Sequence, residues 1–419
     1  MPPQNDLKVS PMPIYLMFVF FSLVSSVSYG LSYYTMSRLE VLVKISGLTS
    51  YTAPPYLFTG EGPSYALLVG STLLILMYFL VAKFLSVRYF RWLGWLSGVW
   101  MGYLTIILFY GGFFHLLEST LALVVDLPIA FQKIYAQLNL LIIHGVFAGG
   151  LWQASRQPLV KKVAIKHAEL PSEFENFKIL QLSDIHIGPT LGKKFIRHLH
   201  RLCDQANPDL IVMTGDLVDG EVRFLGEDVK EFLKIKHLSK NGMLLITGNH
   251  EYISGVRPWS KFLKDQEAML LENDSWVSKI NDQTLSVIGI EDWEAKKFDD
   301  QRRPQLSQAL EKVPQDSFKI LLAHQPKAAI EASKSGIHLQ LSGHTHAGQI
   351  FPFSYLIYLD QPFNVGLYHL KKMQLYVNPG TGYWGPPLRI GTRAEITLLS
   401  LHREDDTHLN KTKLGKPSL

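Results

Sequence analysis

Cysteine is almost absent from this chain: Cys203 stands alone among 419 residues. A lone thiol excludes an internal disulfide and fits a reducing compartment; its ordinary role is that of a small buried apolar side chain. Charge is scarce in the first third. Residues 1–155 hold seven Lys/Arg and five Asp/Glu, leaving 34 and 31 for the remainder. The formal net charge of +5 is modest and dispersed, so nucleic acid is not expected as a partner. A signal peptide is not expected either, because no short apolar stretch ending in a small-residue cleavage site precedes the second apolar run. No internal repeat is visible.

What the first third does have is long apolar runs, at about 13–34, 64–86, 93–115 and 134–154. Each is roughly 20 residues, enough to cross a hydrocarbon core of about 30 Å as a helix. Trp92, Trp95, Trp100 and Trp152 lie near run ends, where indole rings favour the membrane interface. Residues 1–155 are therefore expected to form a bundle of about four transmembrane helices. With the N-terminus inside, Lys8, Lys83, Arg88, Arg91, Arg156, Lys161, Lys162 and Lys166 fall on the inner side, against Arg38, Lys44 and Lys133 outside. That bias predicts a multi-pass membrane protein with a cytoplasmic C-terminal domain. The segment 117–131 would invert the arrangement if it were a fifth span, but Glu118, Asp126 and Pro128 mark it as an interfacial loop. Asn139 and His144 sit at membrane depth, where hydrogen bonding between helices is the plainer account than a functional pathway.

Beyond about residue 160 the pattern changes to short β-rich runs separated by polar helical stretches. Strands are expected at 177–184, 209–216, 242–249, 286–292, 318–324 and 339–344, as continuous apolar runs suited to burial on both faces. Helices are expected at 192–206, 223–240 and 258–270. Residues 160–402 thus read as an α/β layered domain, and 403–419 as a polar, disordered tail.

Five of those strands end in residue types that bind metals. Asp184 and His186 follow the first, Asp216 the second, Asn249 and His250 the third, His324 the fifth, and His344 and His346 the sixth. Ligands of open α/β sheets gather beyond the carboxyl ends of the strands, so loops from different strands can fill one pocket. Carboxylate, imidazole and amide without thiolate suit Mn²⁺, Fe or Zn²⁺. The number of groups suffices for two ions, which would clamp an in-line displacement at phosphorus. A net positive pocket of this kind attracts a phosphate oxyanion.

The order D-x-H, G-D, G-N-H-E, a lone H, then G-H-x-H resembles the calcineurin-like metallophosphoesterases over about residues 167–402. The resemblance implies a two-sheet α/β sandwich and two divalent metal ions. Asp184, His186 and His346 would hold one ion and Asn249, His324 and His344 the other, with Asp216 bridging. A metal-bridging hydroxide would be the nucleophile. His250 would bind no metal, and would stabilise the transition state or protonate the leaving oxygen. GHTHAGQI, the aromatic insert 351–368, LYVNPGTG and the final strand EITLLSL resemble the membrane-associated branch of that family.

The resulting expectation is a membrane-anchored phosphohydrolase cleaving a phosphoester or pyrophosphate bond, on a lipid-linked substrate. The alternatives are a phosphodiesterase for a soluble substrate with the spans as anchor only, and an inactive membrane sensor, which the intact ligand set disfavours. Arg389, Tyr355 and Tyr358 are the candidate substrate contacts, although Arg389 and Arg393 suit an ion-pair role as well. Gln349 and Asn378 could orient ligands or hold turns. The insert could shield a core or form an apolar lip beside the site. His198 and His200 read as surface residues.

Overall fold

The computed structural model describes residues 65–83 and 85–404, with positions 30, 33, 37, 39 and 41–46. Nearly all of the first expected span and of the tail lie outside the described residues. The chain divides into two compact units, one from the described residues of Met1–Leu80 and Leu96–Ala148, the other from Val81–Trp95 and Gly149–Leu419.

Among the described residues two helices are long and apolar enough to cross a membrane, α2 (Val87–Ala122) and α3 (Ile129–Ser155), most of each belonging to the first unit. Helix α1 (Tyr65–Lys83) carries a shorter apolar stretch, Leu68–Lys83. Among the described residues these two helices correspond to the third and fourth expected runs and α1 to the second, and the α2 helix reaches seven residues past the end of its expected run. The segment 117–131 forms no helix of its own. Its first residues end α2, a turn follows, and α3 starts at Ile129. Pro128 keeps α3 from starting earlier, because it disfavours helical backbone at Leu127; α2 has already ended at Ala122. His144 Nε2 lies 3.0 Å from the Tyr103 hydroxyl and Nδ1 lies 2.7 Å from the Leu140 carbonyl, so the plainer reading of that histidine holds.

The second unit contains two mixed six-stranded sheets. The first runs β1 (Leu159–His167), β12 (Glu395–Arg403), β2 (Lys178–Leu182), β3 (Leu210–Thr214), β4 (Met243–Ile246) and β5 (Met269–Leu270) in spatial order. The second runs β10 (Gly366–Leu370), β11 (Met373–Val377), β9 (Leu339–Ser342), β8 (Phe318–Leu322), β7 (Gln283–Gly289) and β6 (Asp274–Ile280). All six strands expected from apolar runs are present, as β2, β3, β4, β7, β8 and β9. They form two parallel sets, β2–β3–β4 and β7–β8–β9.

Alternation along the strands builds the layers. Val287, Ile320 and Leu341 join Ile179, Val212 and Leu244 of the other sheet in one buried core. Ile288, Leu321 and Leu375 point to the opposite face, where Leu306, Ala329 and Ala332 cover them. Helices α4 (Lys193–Ala206), α5 (Val222–Leu233) and α7 (Val256–Asp265) stand where three were expected, though the one expected at 258–270 ends at Asp265 and its last two residues form β5, while α6 (Asn249–Ile253) is a short turn at the site. The expected 223–240 helix ends earlier and tightens to 3₁₀ geometry at Lys234–Leu238. The tail boundary shifts slightly. His402 and Arg403 continue β12, tied to Glu175 by a His402 Nδ1 contact of 2.9 Å and an Arg403 N–H bond of 2.7 Å.

Candidate metal centre

Because β2, β3 and β4 are parallel, and β8 and β9 likewise, the loops that follow them leave from the same end of each sheet. Those loops are sharply bent. Asp184, His186, Asp216, His344 and His346 all have positive φ, between 49° and 71°. Left-handed backbone at non-glycine residues costs on the order of 1–3 kcal/mol each and persists where the surroundings over-determine it, commonly at functional sites. Close approach adds a second requirement. A methyl group on Gly248 would meet Asp216 Oδ1 at 2.2 Å, and one on Gly343 would meet Asp184 Oδ2 at 2.1 Å. Each glycine precedes a candidate ligand, Asn249 or His344, so the small residue lets neighbouring loops converge.

All seven expected donors come together. His186 Nε2 lies 3.0 Å from His346 Nε2, and His346 Nε2 lies 3.4 Å from Asp184 Oδ1. On the other side, Asn249 Oδ1 is 3.1 Å from both His324 Nε2 and His344 Nδ1. Asp216 connects the two groups, with Oδ2 at 3.1 Å from His324 Nε2 and 3.9 Å from His186 Nε2. Two donor sets, Asp184–His186–His346 and Asp216–His324–His344, each fall within 4.8 Å. A third set of the same kind substitutes His250 for a neighbour, but its Nδ1 contacts Asp219 and its Nε2 lies 3.9 Å from Asp216.

The donor chemistry fits divalent cations. Imidazole nitrogens face each other at 3.0 and 3.3 Å, a separation compatible with two ligands of one cation as well as with a hydrogen bond. Outer hydrogen bonds select the inward-facing nitrogen: His324 Nδ1 lies 2.8 Å from the Thr214 carbonyl and His186 Nδ1 lies 2.9 Å from Asp219. Burial, then His324, pushes the His344 imidazole down to about 3. Burial and His186 hold His346 well below its usual range. Both are thereby neutral and ready to ligate. Burial opposes ionisation of Asp216, yet His324 and His250 outweigh it and hold the carboxyl well below its ordinary range. Asp184 is instead pushed up by burial, with Asp216 contributing.

Asp219 did not stand out in the sequence, and Glu251 did so only as the last letter of the G-N-H-E block, with no role attached. Asp219 Oδ1 accepts from both His186 and His250, at 2.9 and 2.6 Å. Burial opposes its ionisation, but the two imidazoles hold its carboxyl well below the usual range. For His250, burial is outweighed by Asp216 and Asp219, which raise it to about 9. Its ring also packs against Trp384 at 5.7 Å between centroids. Glu251 accepts the backbone N–H groups of Asp216, Leu217, Val218 and Gly248, bracing two site loops at once. The available signals were a second carboxylate three residues after Asp216 and an acid directly after His250.

The other candidates separate. Arg389 is buried, and its Nη2 donates to the carbonyls of Pro379, Gly380 and Gly382. Burial pushes its guanidinium down to about 10. It props the glycine turn against the site rather than facing open space: a methyl on Gly380 would meet His346 Nδ1 at 2.9 Å. Gln349 brackets Trp384 with bonds of 2.8 and 2.9 Å, and Asn378 bonds Thr397 and Gly380, both turn-holding roles. Tyr355 and Tyr358 are exposed by 68% and 57%, unlike the buried donor cluster. Their segment is nonetheless tethered beside the site. Gln361 bonds Gln325, which follows His324, and the Thr345 hydroxyl bonds the Asn364 carbonyl.

A layered α/β domain whose strand ends present two adjacent histidine–carboxylate donor sets, with Asp216 Oδ2 between them, fits a metal-dependent hydrolase class. The calcineurin-like phosphoesterase family model matches residues 177–348. A metallophosphoesterase of Helicobacter pylori is 38% identical over 62% of this chain and 68% of its own length. The chain belongs to the calcineurin-like metallophosphoesterases. A bovine "transmembrane protein with metallophosphoesterase domain" is 39% identical over 60% of this chain and 59% of its own. The chain thus spans about three-fifths of that relative's length. Among solved structures, a 5'-nucleotidase precursor of Thermus thermophilus is 13% identical over 54% of each chain, with a TM-score of 0.35.

Proposed function

We propose that this chain is a membrane-anchored, dinuclear metal-dependent phosphohydrolase that cleaves a phosphoester or pyrophosphate bond of a lipid-linked substrate. The observation that carries the catalytic reading is the convergence of seven donors into two sets joined by Asp216. Asp184, His186 and His346 hold one ion, Asn249, His324 and His344 the other. Two divalent cations supply Lewis acidity, activating water and neutralising phosphoryl charge. His250 holds a proton at Nε2, because Asp219 engages Nδ1 and the nearby carboxylates favour the imidazolium. That supports the reading of His250 as proton donor to a leaving oxygen beside the ions the site would hold. Mn²⁺ is the first ion to test.

The lipid-linked substrate rests on the insert. Phe351, Tyr355, Leu356, Tyr358 and Leu359 are all exposed, and Leu359 is exposed by 85%. Phe363 and Tyr368 of the insert pack against a core, but its exposed first half, tethered next to His324 and His346, suits a substrate with an apolar part to bury. The helices α2 and α3 and the bovine relative's name support membrane anchoring. The excess of Lys/Arg on one side of the runs supports a cytoplasmic catalytic domain.

Three outcomes are expected. In the Mn²⁺-loaded chain, His250→Ala keeps near-normal metal content and loses roughly 10²–10⁴-fold in kcat on an aryl phosphodiester, whereas His344→Ala loses metal as well. Equal metal loss in both would contradict the assignment of His250. Replacing Tyr355, Leu356 and Tyr358 together with Ser raises KM for a pyrophosphate-linked lipid and leaves a small soluble ester almost unaffected. Equal losses on both substrates would remove the lipid reading and favour a soluble phosphodiester. A reporter fused after residue 170 behaves as cytoplasmic; an external signal there would place the catalytic domain on the other side.

A further inference from the structure

A groove of about 810 Å³ opens in the second unit, and none of the seven donors lines it. Its walls come from the first turn of α2 (Arg88, Arg91), the chain just after α3 (Arg156), the start of α4 (Lys193, Lys194) and the start of α5 (Arg223). That volume lies within the usual range for a small-molecule site. Six cations face two acids in the lining, Glu227 and Asp228. Both acids are engaged: Asp228 by Arg91 at 2.5 Å and Glu227 by Lys230 at 2.8 Å. Arg223 pairs with Glu221 at 2.8 Å. Among the described residues, Arg88, Arg156, Lys193 and Lys194 have no carboxylate within ion-pair distance.

The two lysines are placed against the local field. They are the first two residues of a 14-residue helix, whose N-cap Gly192 offers no side-chain acceptor and whose first turn has no acid. The amino end of a helix already carries partial positive charge, so lysines there are unfavourable unless an anion joins them. The cations gather where two apolar helices join the domain, the start of α2 and the end of α3. Tyr89, beside Arg88, is exposed, and so is Trp152, whose ring lies 4.8 Å from the Arg156 guanidinium. Cations and exposed amphipathic rings together match the headgroup layer of a bilayer.

We infer that this groove binds the phosphate of an anionic phospholipid headgroup at a site separate from the metal centre. The phosphate chemistry stands on the groove alone; the lipid source rests on the membrane reading proposed above.

The full chain, purified in detergent with its metals, tests this with fluorescent short-chain phosphatidic acid and phosphatidylcholine as probes and inorganic phosphate as competitor. Phosphatidic acid is expected to bind at least about tenfold tighter than phosphatidylcholine. Lys193→Gln/Lys194→Gln should lose about 25-fold for phosphatidic acid, at about fivefold per lysine. In a His344→Ala background, which disables the metal centre, the double lysine change should cost the same factor. Affinity unchanged by the lysine changes in either background would overturn the groove assignment. Displacement by inorganic phosphate with no preference between the two lipids would retain the phosphate site and overturn its lipid source. Metal content and aryl ester turnover of the wild-type chain, read on the same preparation, report separately on the hydrolase reading.

Discussion

Asp216 is a carboxylate taken almost wholly out of water and surrounded by imidazoles, and the rest of the site is arranged around its charge. Its Oδ2 is the atom that both donor sets reach, at 3.1 Å from His324 and 3.9 Å from His186. A buried anion is tolerable only when paired, and here protonated histidines or divalent cations can supply the balancing charge. His324 is held well above its usual range: Asp216 overrides the effect of burial on it. The same field raises His250. The backbone of Asp216 is fixed as firmly as its side chain, through the Glu251 carboxylate that also holds Leu217, Val218 and Gly248. Strand β3 delivers Asp216, the loop after β4 braces it, and the loops after β8 and β9 surround it.

Strain and close approach are concentrated at those strand ends. Five of the seven donors have left-handed backbone, and glycines occur where a Cβ would strike a neighbouring carboxylate. The rigid part lies directly beneath, in the core between the two sheets. Such a scaffold keeps bent loops bent, which is what a metal centre assembled from five separate loops requires. The glycine turn at 380–382 is held in the same way by buried Arg389.

How far all this was legible depended on burial. Strands β2, β3, β4, β7, β8 and β9 are covered on both faces, so they appear as continuous apolar runs, and their ends mark the loops that carry chemistry. Strands β1, β6 and β10 lie on sheet edges, with mixed or polar sequences that carry no such signal. Lys161, Lys162 and Lys166 looked like flanking charges of the last apolar run. They also belong to edge strand β1, where lysines discourage pairing with other chains. The ligands were visible because their types and order are unusual. Asp219 was not, because a lone aspartate in a loop is ordinary until His186 and His250 are seen on one of its oxygens. Arg389 looked available to substrate because its burial depends on a turn brought in from residues 379–382.

The claim on which everything else rests is that two metals share Asp216. Electron paramagnetic resonance of the Mn²⁺-loaded full chain tests it most directly. Spin-coupled Mn²⁺ at two ions per chain is predicted, with the coupling lost in Asp216→Asn. A simple six-line signal from isolated Mn²⁺ in the wild-type chain at full loading would contradict it.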